Sequence, residues 1–218
     1  MHDMHTILKL STLYDDESWT VPGASLLDFR NLEGCNCYCS KEAEAVLASA
    51  IAREKLCGIH WIDSGDYHYI SKIWMARIRE PFALALFDNH PDDQEDAFGE
   101  GLLSCGGWVL TARREMPLMK GDYLNTYDIP GDIPVYVSID LDVLSPAYAR
   151  TDWSHGDMTP EALLESLDVI SRRHRILGVD ICGGLTSGKG AGPEDYHLNT
   201  GIRQKLADYF SIHPPVSG

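Results

Sequence analysis

Seven short apolar runs rich in branched residues constrain the fold of this chain more than any other feature. They lie at Thr6–Leu10, Ala24–Phe29, Gly58–Ile62, Phe82–Phe87, Trp108–Thr111, Val135–Ile139 and Ile176–Ile181. Several are apolar at successive positions, which is typical of strands buried on both faces. Helical patterns lie between them: Ser40 can cap a helix that continues to Leu56, Thr159-Pro160 marks the start of another, and a last one covers about 201–210. This alternation predicts an α/β fold with a mainly parallel sheet covered on both sides, in three αβα layers.

The composition fits one soluble globular domain. The 218 residues contain no internal repeat and no Gly/Ser-rich linker, and a chain of this length buries about 70% of its unfolded surface. We therefore predict a single domain over residues 1–218. Its 18 Lys and Arg against 33 Asp and Glu give a formal net charge of −15. That charge disfavours nucleic acid and anionic membranes as partners, because both select basic surfaces.

The cysteines and the N-terminus indicate a cytoplasmic protein. No apolar run approaches the roughly 20 residues that cross a bilayer, and the first residues, MHDMHTILKLSTLYDD, lack the basic and apolar regions of a signal peptide. The six cysteines are therefore expected to be reduced. Cys35, Cys37 and Cys39 form the only cluster. Zinc sites usually use C-x2-C pairs, so a structural role is favoured for this cluster, with redox and soft-metal roles as alternatives.

Side chains that bind metals follow three of the apolar runs. They are His68, Asp88, His90, Asp92, Asp140 and Asp142. In an extended segment, residues spaced by two face the same side, so Asp88, His90 and Asp92 can converge on one point. A single Asp-x-Asp after a strand is usually only a turn or a helix cap. Three such segments, each at the carboxyl end of a strand where α/β proteins bind ligands, predict a metal site.

The residue types indicate which metal is expected. Gathered carboxylates repel one another in a buried cleft unless a cation neutralises them. Two imidazoles and four carboxylates are hard, oxygen-rich ligands that suit Mn²⁺, with Fe²⁺, Co²⁺ or Zn²⁺ as weaker candidates. Six ligands exceed the need of one ion. Two ions about 3.5–4 Å apart, sharing a carboxylate and a water, would use them all.

These segments resemble the ureohydrolases, the family of arginase, agmatinase and formimidoylglutamase. Asp88-Asn89-His90-Pro91-Asp92 is similar to their D-x-H-x-D signature, and the segment from Ser138 to Ala149 is similar to S-x-D-x-D-x-x-D-P-x-x-x-P. Gly65 to His68 resembles G-G-D-H with one residue inserted, and Gly178 to Ile181 resembles the strand that ends in D-I-x-E. The resemblance covers about residues 58–182. It implies an arginase/deacetylase-type fold, a binuclear manganese centre held by the six residues above, and a homo-oligomer as an open expectation.

The chain departs from the family at positions that matter for chemistry. The family's catalytic glutamate, which holds the guanidinium group, would fall at Gly183. The family's shuttle histidine would fall within 103–107, which reads Leu-Ser-Cys-Gly-Gly, and the Asp-Pro of the second motif is Ser145-Pro146. The motifs therefore support metal chemistry without supporting recognition of a guanidinium substrate.

The resulting prediction is a hydrolase of non-peptide carbon–nitrogen bonds. Water activated by two metal ions would attack a guanidino, formimino or amide carbon. We expect Asp92, as the bridging carboxylate, to take the proton and pass it to the leaving nitrogen, while His155, in the loop after the second motif, can replace the missing shuttle. The alternatives are an amide deacetylase on the same fold and a catalytically silent metal-binding relative.

A phosphate-binding loop is the remaining alternative. The segment from Gly183 to Lys189 fits G-x4-G-K after a strand. The next residue is Gly190, where a phosphate loop has the Ser or Thr that binds Mg²⁺, and a proline follows at 193 where the helix should already have begun. We therefore interpret this segment as an ordinary loop.

Overall fold

Nine strands are present in the part of the chain that the computed structural model describes, residues 4–95 and 102–216. Their bounds are β1 (His5–Lys9), β2 (Ser25–Asp28), β3 (Tyr38–Cys39), β4 (Ile59–Trp61), β5 (Phe82–Phe87), β6 (Leu103–Ser104), β7 (Met119–Leu124), β8 (Val135–Asp140) and β9 (Ile176–Cys182). Seven of them form one sheet in the order β2-β1-β4-β9-β8-β5-β7, with every neighbouring pair parallel. Strands β3 and β6 form a separate antiparallel pair.

The helices of the described residues pack on this sheet through two apolar cores. They are α1 (Leu13–Asp16), α2 (Lys41–Ile51), α3 (Ile70–Met75), α4 (Trp108–Glu115), α5 (Pro160–Arg173) and α6 (Pro193–Ile212). One core joins residues of α1, α5 and α6 to Ala83, Ala85 and Phe87 of β5, and the other joins α2, α3 and α4 to Phe82, Leu84 and Leu86. Successive residues of a strand point to opposite faces. The sheet therefore lies between two helical layers, and the predicted three-layer α/β fold is confirmed.

The predicted helix starts are confirmed by their caps. The Ser40 side chain accepts a hydrogen bond from the Ala43 backbone N–H, and Thr159 does the same for Ala162. Pro160 occupies the first position of α5, where no backbone N–H is needed.

Four secondary-structure predictions need correction. The helix that begins after Ser40 ends at Ile51 rather than at Leu56. The run at 108–111 is the start of α4 rather than a strand, since Trp108, Val109 and Ala112 form its buried stripe at helical spacing. A run of four apolar residues does not separate a strand from a helix. Strand β7 was not predicted because it is half-buried at the sheet edge and contains Lys, Gly and Asp. Helix α6 begins at Pro193, eight residues before the predicted start.

The strand order brings the predicted ligands to one edge of the sheet. Strands β4, β9, β8 and β5 are neighbours in that order. Because all four are parallel, their carboxyl ends lie side by side, and each predicted ligand belongs to one of these ends. No helix of the described residues is long and apolar enough to cross a membrane.

Candidate metal centre

The six predicted ligands meet at the carboxyl ends of β4, β5 and β8. Asp88, His90 and Asp92 follow β5, Asp140 is the last residue of β8, and Asp142 lies in the 3-10 turn Leu141–Val143 that follows it. His68 follows a 3-10 turn, Gly65–Tyr67, that continues from β4. Five of the six are buried, and His90 is partly exposed.

His68 is the centre of the first ligand set. Its Nδ1 atom is 3.1 Å from Asp88 Oδ2 and 3.0 Å from Asp92 Oδ2. Asp140 Oδ2 lies slightly farther from the same nitrogen, at 3.8 Å. The His68 nitrogen thus faces a group with Asp88 and Asp92, and it also belongs to a neighbouring group with Asp140.

Asp88 also belongs to a second set, which contains His90 and Asp142. His90 Nδ1 is 2.9 Å from Asp142 Oδ2 and 3.5 Å from Asp88 Oδ1. Asp88 therefore faces the first set with one oxygen and the second with the other. This geometry favours Asp88 as the carboxylate shared by the two sets, in place of Asp92, which the sequence pattern predicts for that part.

The peptide segment from Asp88 to Asp92 is bent, which corrects the prediction of an extended segment. The His90 backbone N–H donates to Asp88 Oδ1 at 2.6 Å, which closes a tight turn. Asp92 adopts a left-handed conformation with φ of 47°, which costs an ordinary residue about 1–2 kcal/mol. The Trp108 indole N–H donates to Asp92 Oδ2 at 2.7 Å and holds the side chain in place. Strain of this kind is concentrated at functional sites.

A hydrogen-bond chain orients the His68 ring. Ser138 Oγ donates to Asp180 Oδ1 at 2.6 Å and lies 2.8 Å from His68 Nε2. Because the single Ser138 proton is used toward Asp180, the hydroxyl oxygen accepts from His68 Nε2–H. The Nδ1 lone pair of a neutral imidazole is then directed at the carboxylates, as metal-ligating histidines require.

The shifted pKa values reflect the burial and crowding of the carboxyl groups in this cluster. Burial raises the pKa of Asp142 to about 10 and that of Asp92 to about 6, and it also raises the pKa of Asp140. The pKa of His68 is raised, because Cys182, Asp88 and Asp92 together outweigh the opposing effect of burial. Among the described residues that line the cavity there is no Lys or Arg. Four carboxylates and two imidazoles without another cation fit a pair of divalent metal ions.

A cavity of about 240 Å³ opens onto the cluster. Its walls beyond the ligands include Cys37, Tyr38, Gln94, Ser104, Cys105 and Trp153. The Trp153 ring lies edge-on to His90 with a centroid distance of 6.0 Å, and its indole N–H donates to Asp66 Oδ1 at 3.0 Å. Trp153 is 41% exposed and contributes an aromatic wall that the sequence motifs did not indicate.

His155 does not line this cavity. Its Nδ1 is 3.0 Å from the Leu144 carbonyl oxygen, and its Nε2 accepts a hydrogen bond from the Thr151 N–H at 3.2 Å. Both ring nitrogens are therefore occupied within its own loop. The geometry argues against the predicted proton-transfer role and gives His155 a part in holding the loop that carries Trp153.

Gly183 occupies the place where the ureohydrolase glutamate was expected, and its surroundings exclude a side chain. Its φ is +97°, and a Cβ added there would lie 2.4 Å from Asp140 Oδ1 and 2.9 Å from the Leu141 nitrogen. The Arg203 guanidinium donates to the Gly183 carbonyl oxygen at 2.6 Å and also binds Glu17. The backbone here approaches the metal ligands in a way that only glycine allows.

The clustered cysteines behave as separate thiols. Cys35 and Cys39 are buried in the apolar core, and only Cys37 of the three lines the cavity, next to Cys105. Burial raises the pKa of Cys39 to about 11 and that of Cys105 to about 12, so these groups are protonated at neutral pH. This arrangement agrees with the favoured structural role.

Comparisons with known proteins agree with this architecture. No protein-family model matches the chain. An uncharacterised protein from Thermotoga maritima is 28% identical over 200 residues, which cover 81% of this chain and 78% of that protein. A structure of a hypothetical agmatinase from Burkholderia thailandensis is similar with a TM-score of 0.64 and 13% identity, over 96% of this chain and 88% of the other.

Two further solved structures are similar over nearly the whole chain. Proclavaminate amidino hydrolase from Streptomyces clavuligerus has a TM-score of 0.64 at 16% identity, covering 96% of this chain and 92% of its own. A triple mutant of the arginase-like protein of T. brucei, bound with Mn²⁺, has a TM-score of 0.61 at 16% identity, covering 98% and 91%. The chain has the fold of the ureohydrolases, and the resemblance drawn from its motifs is confirmed at that level. Function is argued from the site itself, because one fold hosts many activities.

Proposed function

We propose that this protein is a metal-dependent hydrolase that cleaves a non-peptide carbon–nitrogen bond in a small molecule. The observation that supports it is the pair of interlocking ligand sets that share Asp88, at the base of a cavity. Sites of this kind, with ligands on rigid strand ends and an open side, belong to catalysis more than to metal storage, since a purely structural ion is enclosed by its ligands.

The chain's own residues have distinct parts in this proposal. His68, Asp88, Asp92 and Asp140 would hold one ion, while Asp88, His90 and Asp142 would hold the other. Bound divalent ions supply an activated water and polarise the substrate carbon. Asp92 faces the shared volume, fixed by Trp108, and is the group that we propose accepts a proton and returns it to the leaving nitrogen.

The fold neighbours and the donor set suggest Mn²⁺ as the metal. Hard oxygen-rich ligands favour it, and the T. brucei mutant binds it on the same fold. We also propose a cytoplasmic location, because all six cysteines are free thiols, as in a reducing compartment.

An amide substrate is the second candidate, and the environment of Gly183 favours it over a guanidine. A guanidinium substrate needs a carboxylate partner, and the position where ureohydrolases have one is occupied by backbone that lies too close to Asp140 for any side chain. A neutral acyl or formyl amide needs no such partner. A cavity of about 240 Å³ fits a small molecule of either kind.

The test is a substrate panel with product-specific detection. Metal-free protein is reloaded with Mn²⁺, Co²⁺ or Zn²⁺ and incubated with guanidino, formimino, acetyl and formyl amide compounds. Urea release would identify a ureohydrolase, and acetate or formate release an amide hydrolase. Two bound ions with no turnover of any compound would favour the silent metal-binding alternative.

Matched variants connect activity to the centre. Asp92→Asn and Asp140→Asn should abolish turnover and reduce metal content, because each removes a ligand of the first set. Asp93→Asn is the control, since Asp93 is in the same segment but pairs with Arg113 at 3.0 Å and does not line the cavity. Full activity in either ligand variant would refute the mechanism.

A further inference from the structure

Cys182 is a buried thiol at the edge of the metal centre that neither the motifs nor the proposed mechanism uses. It is the last residue of β9, and its register partner on the neighbouring strand is Asp140. Residues paired in register on adjacent strands point to the same face of a sheet. Both the thiol and the Asp140 side chain are buried.

The contacts of the sulfur are with metal ligands. Cys182 Sγ donates to Asp140 Oδ2 at 3.1 Å, and that oxygen is 3.8 Å from His68 Nδ1. The sulfur, one imidazole nitrogen and one carboxylate oxygen all lie within 4.8 Å of one another. This third set shares His68 with the set of Asp88 and Asp92, so a sulfur is added to the oxygen and nitrogen donors around His68.

Cys39, one of the three other buried cysteines of the same apolar core, shows a thiol that lies away from the metal ligands. Cys39 is equally buried, and its sulfur contacts the Ser40 carbonyl oxygen at 3.6 Å, away from the cavity. Among the described residues, the set formed by Asp88, His90 and Asp142 includes no sulfur. The two metal positions are thus chemically unequal, with sulfur on the His68 side alone.

We propose that Cys182 is a sulfur ligand of the ion held at His68 and that it directs this position toward Zn²⁺ and away from Mn²⁺. The inference rests on the metal centre of the proposed function. On binding, a sulfur–metal bond forms and the thiol proton leaves to solvent, without any change of oxidation state. Thiolates select softer ions such as Zn²⁺, whereas carboxylates suit Mn²⁺. The ion position at Asp88, His90 and Asp142, which has no sulfur ligand among the described residues, therefore keeps its preference for a hard ion such as Mn²⁺.

Spectroscopy of the metal-loaded protein tests the bond directly. Metal-free full-length protein is titrated with Co²⁺ without oxygen, and a sulfur-to-cobalt charge-transfer band in the near ultraviolet is expected in the native protein and in Cys39→Ser. It should be absent in Cys182→Ser at the same cobalt content. X-ray absorption of the zinc-loaded native protein should show a sulfur neighbour at about 2.3 Å, longer than the nitrogen and oxygen distances.

Metal competition measures the selectivity. The ratio of the Zn²⁺ and Mn²⁺ dissociation constants should shift toward Mn²⁺ by about tenfold or more in Cys182→Ser, and should be unchanged in Cys39→Ser. If Cys182→Ser does not fold, the X-ray absorption spectrum is recorded on the zinc-loaded Cys37→Ser/Cys105→Ser variant, which lacks the two sulfurs of the cavity wall. A sulfur neighbour of zinc in that variant supports Cys182, and its absence overturns the assignment.

The outcomes separate this inference from the proposed function. Cobalt that binds without the charge-transfer band, a band that survives in Cys182→Ser, or a zinc spectrum without sulfur would overturn the assignment of Cys182 and leave the metal centre intact. Failure of the native protein to bind Co²⁺ or Zn²⁺ would overturn both.

Discussion

Substituting Gly183 by alanine tests the close contact between the glycine loop and the metal centre. The substitution has two separable costs. An alanine at φ of +97° pays about 1–2 kcal/mol for a left-handed backbone. Its Cβ would also meet Asp140 Oδ1 at 2.4 Å and the Leu141 nitrogen at 2.9 Å, and forcing an atom into a packed interior costs about 1–3 kcal/mol.

Gly190→Ala is the matched control, because Gly190 has nearly the same φ, +93°, with nothing within 4 Å of an added Cβ. Gly190→Ala therefore has the cost of a left-handed backbone without the steric clash of an added Cβ. We expect Gly183→Ala to lower the free energy of unfolding by at least about 1 kcal/mol more than Gly190→Ala does. Displacement of Asp140 should also weaken metal binding about tenfold to a hundredfold.

Urea-induced unfolding of the metal-free proteins measures the free energy of unfolding. Calorimetric titration with Mn²⁺ and Zn²⁺ measures the metal affinity. Equal stability losses in the two variants, together with unchanged metal affinity in Gly183→Ala, would refute the reasoning. The same result would remove the argument that this position has no room for a glutamate.

Three further outcomes follow from the structure. Asp88→Asn should weaken the binding of both metal ions, whereas Asp142→Asn should weaken the binding of one. Elemental analysis after dialysis measures the metal content of each variant. Equal metal contents in the two variants would contradict an Asp88 that is shared by both ions. Arg203→Met should cost about 3–5 kcal/mol in urea unfolding by leaving the Glu17 carboxylate buried and unpaired, and Glu17→Leu should restore most of this in the double variant. Burial lowers the pKa of His60 to about 3, so the unfolded chain takes up its proton near pH 6.5 and the folded protein only near pH 3. The free energy of unfolding therefore falls as the pH is lowered between these values, by about 2 kcal/mol at about pH 5. The free energy of unfolding of His60→Asn should lack this pH-dependent loss.

The residues of the acidic cluster could be located in the sequence because each lies in a local pattern. Asp88, His90 and Asp92 follow a continuous apolar strand, and Asp140 ends another, so the boundary between apolar and acidic residues locates them without knowledge of the fold. The left-handed backbone of Asp92 is not predicted by the sequence pattern, and its carboxylate is bonded to Trp108 from another element. The prediction for His155 was made on its place in the chain, and only its hydrogen bonds to Leu144 and Thr151 show that the ring is occupied elsewhere.

The sequence by itself determined the α/β class and the acidic and histidine side chains at the carboxyl ends of the strands, because strand patterns and residue spacings are properties of short segments. The tertiary structure decided which segments are neighbours. Cys182 and Asp140 are 42 residues apart, and they meet because β9 lies between β4 and β8 in the sheet. The same strand order presses Gly183 against Asp140. No short-range pattern contains this information, since strand order is set by how the whole sheet buries its two faces.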